Sequence, residues 1–168
     1  MFHSPIGLVH LIAAGLAMAA GAVVLLNTKG GAFHKRAGYV YVAAMLTVNG
    51  TAFMIYHLFG TFGPFHWLAL LSLTTIVGGL VPALLRKTPT FKTNWIYWHY
   101  YFMNWSVVGL YAAFWAETFT RLSMGRQFWP LVAGATTITM FVGSYLIRRN
   151  AARLLPAASA RKEAVETA

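Results

Sequence analysis

The sequence predicts an all-α integral membrane protein, a helical bundle of five transmembrane helices, on three observations. Of its 168 residues, 58% are hydrophobic and 10% charged, where a soluble domain carries about a quarter charged. Residues 1–28, 37–85, 93–116 and 127–147 contain no Asp, Glu, Lys or Arg. A bilayer core takes about 20 apolar residues per helix, so the second stretch holds two spans and the others one each. Third, the basic residues gather in alternate connections. Backbone groups in lipid must be satisfied within their own segment, which makes the spans helices. The two-residue alternation of a membrane barrel is absent from the sequence.

The first span is expected over 5–26, where Gly7, Gly15 and Gly21 among alanines allow close helix approach. Its Ala17-Met18-Ala19 has the small-x-small form of a signal-peptide site. It lacks a basic n-region and its apolar run is long, so it reads as a span. Gly30 and Gly31 end it. The second span is expected over 37–59 and carries Asn49, Tyr56 and His57. GTFGPF then turns the chain, and Pro64 suits a helix start, giving a third span over 64–85 with Pro82 near its end. The fourth, 94–116, opens with NWIYWHYYFMNW, an aromatic belt or the wall of a cofactor or quinone site. The fifth is expected over 128–148. Residues 1–149 thus form one transmembrane domain, and 150–168 a short cytoplasmic tail, amphipathic or disordered.

The net charge of +10 would suggest nucleic acid in a soluble protein. Here its placement gives a better account. Lys29, Lys35 and Arg36 lie in the first connection, and Arg86, Lys87 and Lys92 in the third. Arg148, Arg149, Arg153, Arg161 and Lys162 follow the last span. Eleven of the 13 basic residues thus share one side, and only Arg121 and Arg126 lie on the other. The positive-inside rule puts the N-terminus out and the C-terminus in the cytoplasm. The expected location is a bacterial inner membrane, with the lipid bilayer as partner and no nucleic acid. The absence of cysteine excludes thiolate metal sites and iron–sulfur clusters held by the chain.

Apart from Arg148, at the last position of the fifth, no Asp, Glu, Lys or Arg falls inside an expected span, so histidine is the ionisable residue at membrane depth. Polar residues there are expensive and tend to be functional. Topology puts His3, His10, His57 and His66 toward the outer face and His34 and His99 toward the cytoplasm. In an up-down bundle, spans one and three are diagonal, as are two and four. His10 and His66 then oppose each other at the outer end, and His34 and His99 at the inner end. Opposed neutral imidazoles are what bis-His haem ligation needs. Gly7, one turn before His10, and Gly38, one turn after His34, would admit the macrocycle. His10, His66, His34 and His99 are therefore the candidate ligands of haem b iron, or of Zn or Cu at one face. The bland alternative is a histidine that bonds a Ser, Thr or carbonyl on its neighbour. Carboxylate acid–base work has no residue in a span, the Gly-Gly of the first connection lacks phosphate-loop context, and no serine sits in a nucleophile elbow. No enzymatic reaction is fixed by these residues.

Four places in the chain resemble a family of small polytopic bacterial membrane proteins, domain of unknown function 2306 (DUF2306). They are His10 followed by Ala14-Gly15; Lys29-Gly30 with His34, Lys35, Gly38 and Tyr39, then Met45; Phe65-His66; and Trp95, His99 and Met103. The resemblance covers roughly residues 8 to 110. It implies a multi-span membrane fold and no established reaction, and it singles out the same four histidines. The architecture also looks like that of di-haem b-type membrane cytochromes. The expected function is electron transfer through paired haems, with a quinone or a redox protein as partner. The alternative is a non-catalytic membrane subunit or permease-like protein with structural or metal-binding histidines. Oligomeric state has no signal in the sequence.

Overall fold

The computed structural model describes residues 4–55, 60–123 and 127–166, with backbone alone at 64–65 and 156–166. Five α-helices form in it: α1 Pro5–Leu26, α2 Ala32–Ala52, α3 Pro64–Leu84, α4 Trp95–Leu122 and α5 Phe128–Glu166. Each start has a local cause. Ser4 caps α1 by accepting from the Gly7 N–H at 3.1 Å, and Pro5 occupies the first turn. Gly30, at φ +86°, turns the chain out of α1 toward α2. The Lys29 ammonium closes the other side of that turn, donating to the carbonyls of Val24, Leu25 and Asn27 at 2.6–2.9 Å. A cation there satisfies the last carbonyls of α1 and its dipole.

Helices α1, α3 and α5 are each long and apolar enough to cross a membrane, over Pro5–Leu26, His66–Leu84 and Phe128–Leu155. Helices α2 and α4 have 21 and 28 residues. Lys35, Arg36 and Asn49 in α2, and His99, Asn104, Glu117 and Arg121 in α4, dilute their hydropathy. Large apolar side chains face outward, among them Ile12, Trp67, Ile138 and Phe141. A soluble monomer rarely exposes such surface; lipid-facing helices require it.

Four helices form a ring. Backbones pack closely between α1 and α2, α2 and α3, α3 and α4, and α4 and α1, while α5 packs on α4. No such approach joins α1 to α3 or α2 to α4 among the described residues, so these are the diagonals, as the up-down arrangement requires. The ring is filled by Ala17, Tyr41, Met45, Ile76, Val107 and Leu110. Gly21 lets Tyr41 in: a Cβ there would lie 3.2 Å from the Tyr41 ring and 3.3 Å from Val107. Tyr111 ties α4 to α1 by donating to the Met18 carbonyl at 3.2 Å, and Tyr100 ties α4 to α5 by donating to Ile147 at 2.8 Å.

Three helices differ in extent from expectation, α4 among them: it runs on to Leu122 and takes in Glu117 and Arg121, past the expected end at 116. Helix α2 begins at Ala32 and ends at Ala52, not at 37 and 59, because Gly31 already serves as its N-cap and Lys35 and Arg36 extend from the first turns. Residues 56–59, His57 included, lie outside the described residues, as does His3. Helix α5 continues unbroken to Glu166, so the tail beyond residue 150 is helical as far as it is described. Ala151, Ala152, Arg153 and Leu154 are strong helix formers and carry it onward.

Candidate functional site

The ring order brings the N-terminal ends of α2 and α4 together across a diagonal. His34 is the third residue of α2 and His99 the fifth of α4. Their rings meet with centroids 6.3 Å apart and planes at 81°. Both residues are half-buried. His99 is aimed by a third helix: its Nδ1 lies 2.9 Å from the Gly79 carbonyl oxygen of α3. A carbonyl only accepts, so Nδ1 carries the proton and the lone pair of the neutral ring sits on Nε2. Gly79 is closely packed in turn, since a Cβ there would lie 2.7 Å from Cγ and Sδ of Met103. His34 has a buried Nδ1 with no hydrogen-bond partner among the described residues.

The surroundings of the pair are aromatic and basic. Trp95 lies 6.3 Å from His99, ring to ring, and the Arg86 guanidinium sits over Trp95 at 5.9 Å. Partial burial pulls the Lys29 ammonium below its usual range. Gly38, one turn beyond His34, has open space beside it, with nothing within 4 Å of an added Cβ. Tyr97 packs on Trp98 and on Tyr101, which is how an aromatic belt fills an interface.

A metal–imidazole bond is about 2 Å long, and the ring centre lies about 1.1 Å behind the ligating nitrogen. Two imidazoles trans to each other on one ion therefore have centroids roughly 6 Å apart, whereas tetrahedral ligands bring them to about 5 Å. The observed centroid separation of 6.3 Å matches the first of these distances, in a contact whose ring planes cross edge to face at 81°. A closed zinc site takes four ligands, and no group of three or more His, Cys, Asp or Glu gathers among the described residues.

His10 and His66 lie at the opposite end of the ring, both beside the C-terminal end of α2. His10 Nδ1 is 2.8 Å from Thr51 Oγ1. The Thr51 hydroxyl donates to the carbonyls of Thr47 and Val48, so it accepts from His10 Nδ1–H. His66 is buried, with its Nδ1 accepting the Gly63 N–H at 3.0 Å. Its ring stacks on Phe62 at 4.8 Å and lies 6.4 Å from Phe53. That bond places the proton of a neutral ring on Nε2. No ring contact joins His10 to His66 among the described residues. The structure thus brings His34 and His99 together and gives His10 and His66 separate partners.

Sequence reasoning missed two polar contacts. Tyr41 and Ser106 meet at 2.8 Å across the α2–α4 diagonal, two turns below the histidine pair. Asn49 spans α2 to α3 by donating to Ser72 Oγ at 3.2 Å. Tyr41 and Ser106 each stand seven residues after a candidate histidine, on the same helix face, and that shared spacing was the available signal. Two apolar grooves open elsewhere, one between α1 and α2 along Ile12 and Val40, the other between Trp67 and Trp129.

The family model for DUF2306, described as "Predicted membrane protein (DUF2306)", matches residues 7–147. The chain belongs to this family. No curated protein and no solved structure matches it.

Proposed function

We propose that this member of the DUF2306 family is a small b-type haem protein of the bacterial inner membrane, in which His34 and His99 would hold the iron. The observation that carries the reading is the meeting of the two imidazoles across a helix diagonal, 6.3 Å between centroids. Three features support it. His99 Nδ1–H is spent on a backbone carbonyl, the usual outer partner of a metal-bound imidazole. The His34 Nδ1 is buried and unpaired among the described residues. Open space flanks Gly38, one turn after His34.

When bound, the haem supplies one-electron redox chemistry. The residues of this chain do the rest. His99 is held in one tautomer by Gly79. Trp95 lies beside its ring. Arg86, Lys35 and Arg36 supply positive charge at the rim. A quinone or a redox protein is the expected electron partner.

The reading includes five membrane crossings, with the N-terminus outside. At about 1.5 Å per residue, the 21 residues of α2 reach about 31 Å, enough for a hydrocarbon core. It also includes a second haem site at His10 and His66, which requires the Gly63–His66 hydrogen bond to open so that Nε2 can offer a lone pair.

The test is the absorption spectrum of the purified protein in detergent. A Soret band that sharpens and moves on reduction supports the reading. A colourless protein, from cells supplied with haem precursor, returns the histidines to packing. The chain would then be a non-catalytic membrane subunit or permease-like protein.

A further inference from the structure

We infer that the basic end of the bundle is a binding surface for anionic phospholipids, with exposed Lys and Arg side chains of α2, α5 and the α3–α4 connection taking the headgroup phosphates. The inference stands apart from the haem reading, since it asks nothing of the histidines as ligands.

Contacts between helices draw these cations to one end. The Arg86 guanidinium sits over Trp95 at 5.9 Å, and the Trp95 ring lies 6.3 Å from that of His99. His99 meets His34, and Lys35 and Arg36 follow His34 in the first turns of α2. Tyr100, the residue after His99, donates to the Ile147 carbonyl at 2.8 Å, and Arg148 and Arg149 come next on α5. Lys35, Arg36, Arg86, Lys87, Arg148 and Arg149 are all exposed.

No counter-charge meets them among the described side chains. Glu117 is the one acidic side chain described, and it pairs with Arg121 near the other end of α4. Lys29 is the exception among the cations, because its ammonium is spent on the last carbonyls of α1. The rest form a one-signed field that attracts phosphate esters. Arg86, steadied on Trp95, keeps N–H groups of its planar fork for a phosphate.

The depth of the aromatic residues selects a lipid over a soluble acidic partner. On α2, the exposed Tyr39 stands one turn further into the helix than Lys35 and Arg36. On α5, the exposed Tyr145 stands one turn before Arg148 and Arg149. Residues three and four apart share a helix face. Each aromatic residue is therefore on the face of its cations and one turn nearer the middle of the helix. Rings at the interface with cations one turn beyond follow the order in which a bilayer presents its interfacial layer and its anionic headgroups. A soluble acidic protein would meet the cations and leave the rings bare.

The experiment reconstitutes the full-length protein into phosphatidylcholine vesicles with a trace of spin-labelled phosphatidylglycerol or spin-labelled phosphatidylcholine. Electron paramagnetic resonance then measures the fraction of label slowed at the protein surface. The anionic label is expected to associate about fivefold more strongly at low salt, and about 1 M sodium chloride should remove most of that preference. Inorganic phosphate at matched ionic strength should act like chloride. The variant Arg86→Gln/Lys87→Gln/Arg148→Gln/Arg149→Gln is expected to fall to about twofold or less. Equal slowing of the two labels by wild type overturns the inference and leaves the patch to a soluble acidic partner. A preference untouched by salt, or intact in the variant, overturns it as well. So does displacement by inorganic phosphate beyond that by chloride, which would assign the patch to free phosphate. If the variant does not insert, the wild-type preference and its response to salt and phosphate decide alone.

Discussion

The imidazole of His99 donates its Nδ1–H to the carbonyl oxygen of Gly79 at 2.9 Å, so a side chain of α4 is aimed by a backbone atom of α3. The same glycine gives way to Met103, one turn after His99. Gly79 thus serves two neighbours on one helix, and its lack of a side chain is required by the second.

A Cβ at Gly79 would meet Met103 Cγ and Sδ at 2.7 Å and its backbone nitrogen at 3.1 Å. Gly79→Ala is therefore expected to destabilise the bundle by about 1–3 kcal/mol through overpacking. Met103→Ala in that background should recover part of the loss, because the side-chain clash goes and the backbone contact stays. The two substitutions should be non-additive. Thermal unfolding in detergent, followed by helical circular dichroism, measures all three variants. A neutral Gly79→Ala would show that α3 and α4 are not this close.

The Tyr41–Ser106 contact predicts unequal costs for its two halves. Ser106 donates to the Met103 carbonyl at 2.8 Å and so accepts from the Tyr41 hydroxyl. Tyr41 is 1% exposed. Tyr41→Phe removes donor and hydroxyl together and should cost about 0.5–1.5 kcal/mol. Ser106→Ala strands a buried phenol hydroxyl and should cost more, about 1–3 kcal/mol. Equal losses, or the reverse order by the same unfolding measurement, would mean that the phenol finds another acceptor.

Much of this architecture was legible in the sequence because lipid leaves few choices. Charge-free runs gave the helices, and the ring order made α2 and α4 a diagonal, which put His34 opposite His99. The start of α2 was not legible. Lys35 and Arg36 look like loop residues, yet both lie within two turns of the Gly31 cap, where long basic side chains reach outward. The Gly79 acceptor was not legible either, since a backbone carbonyl 20 residues away leaves no mark in composition or spacing. The His66 ring could have been anticipated. It stands three residues after Gly63, where a side chain can reach back to a free amide at a helix start.

The five crossings proposed above predict a specific topology. Reporter fusions near Gly63 or Ser123 should be active at the outer face, and fusions at Thr90 or Ala168 should not. The expectation follows from the basic residues of the α1–α2 and α3–α4 connections and of the end of α5. The opposite pattern would reverse the face to which His34 and His99 belong.

The central claim is that His34 and His99 share one iron, and the angle between their rings gives it a signature. Imidazole planes crossed at 81° leave the iron orbitals that interact with them nearly equal in energy. The electron paramagnetic resonance spectrum of the oxidised protein at liquid-helium temperature should therefore show a low-spin signal dominated by one large g value, absent from both His34→Ala and His99→Ala. A signal with three well-separated g values would mean near-parallel rings and another ligand pair. A one-large-g signal that survives in either variant, or preparations that never contain haem, would contradict the claim.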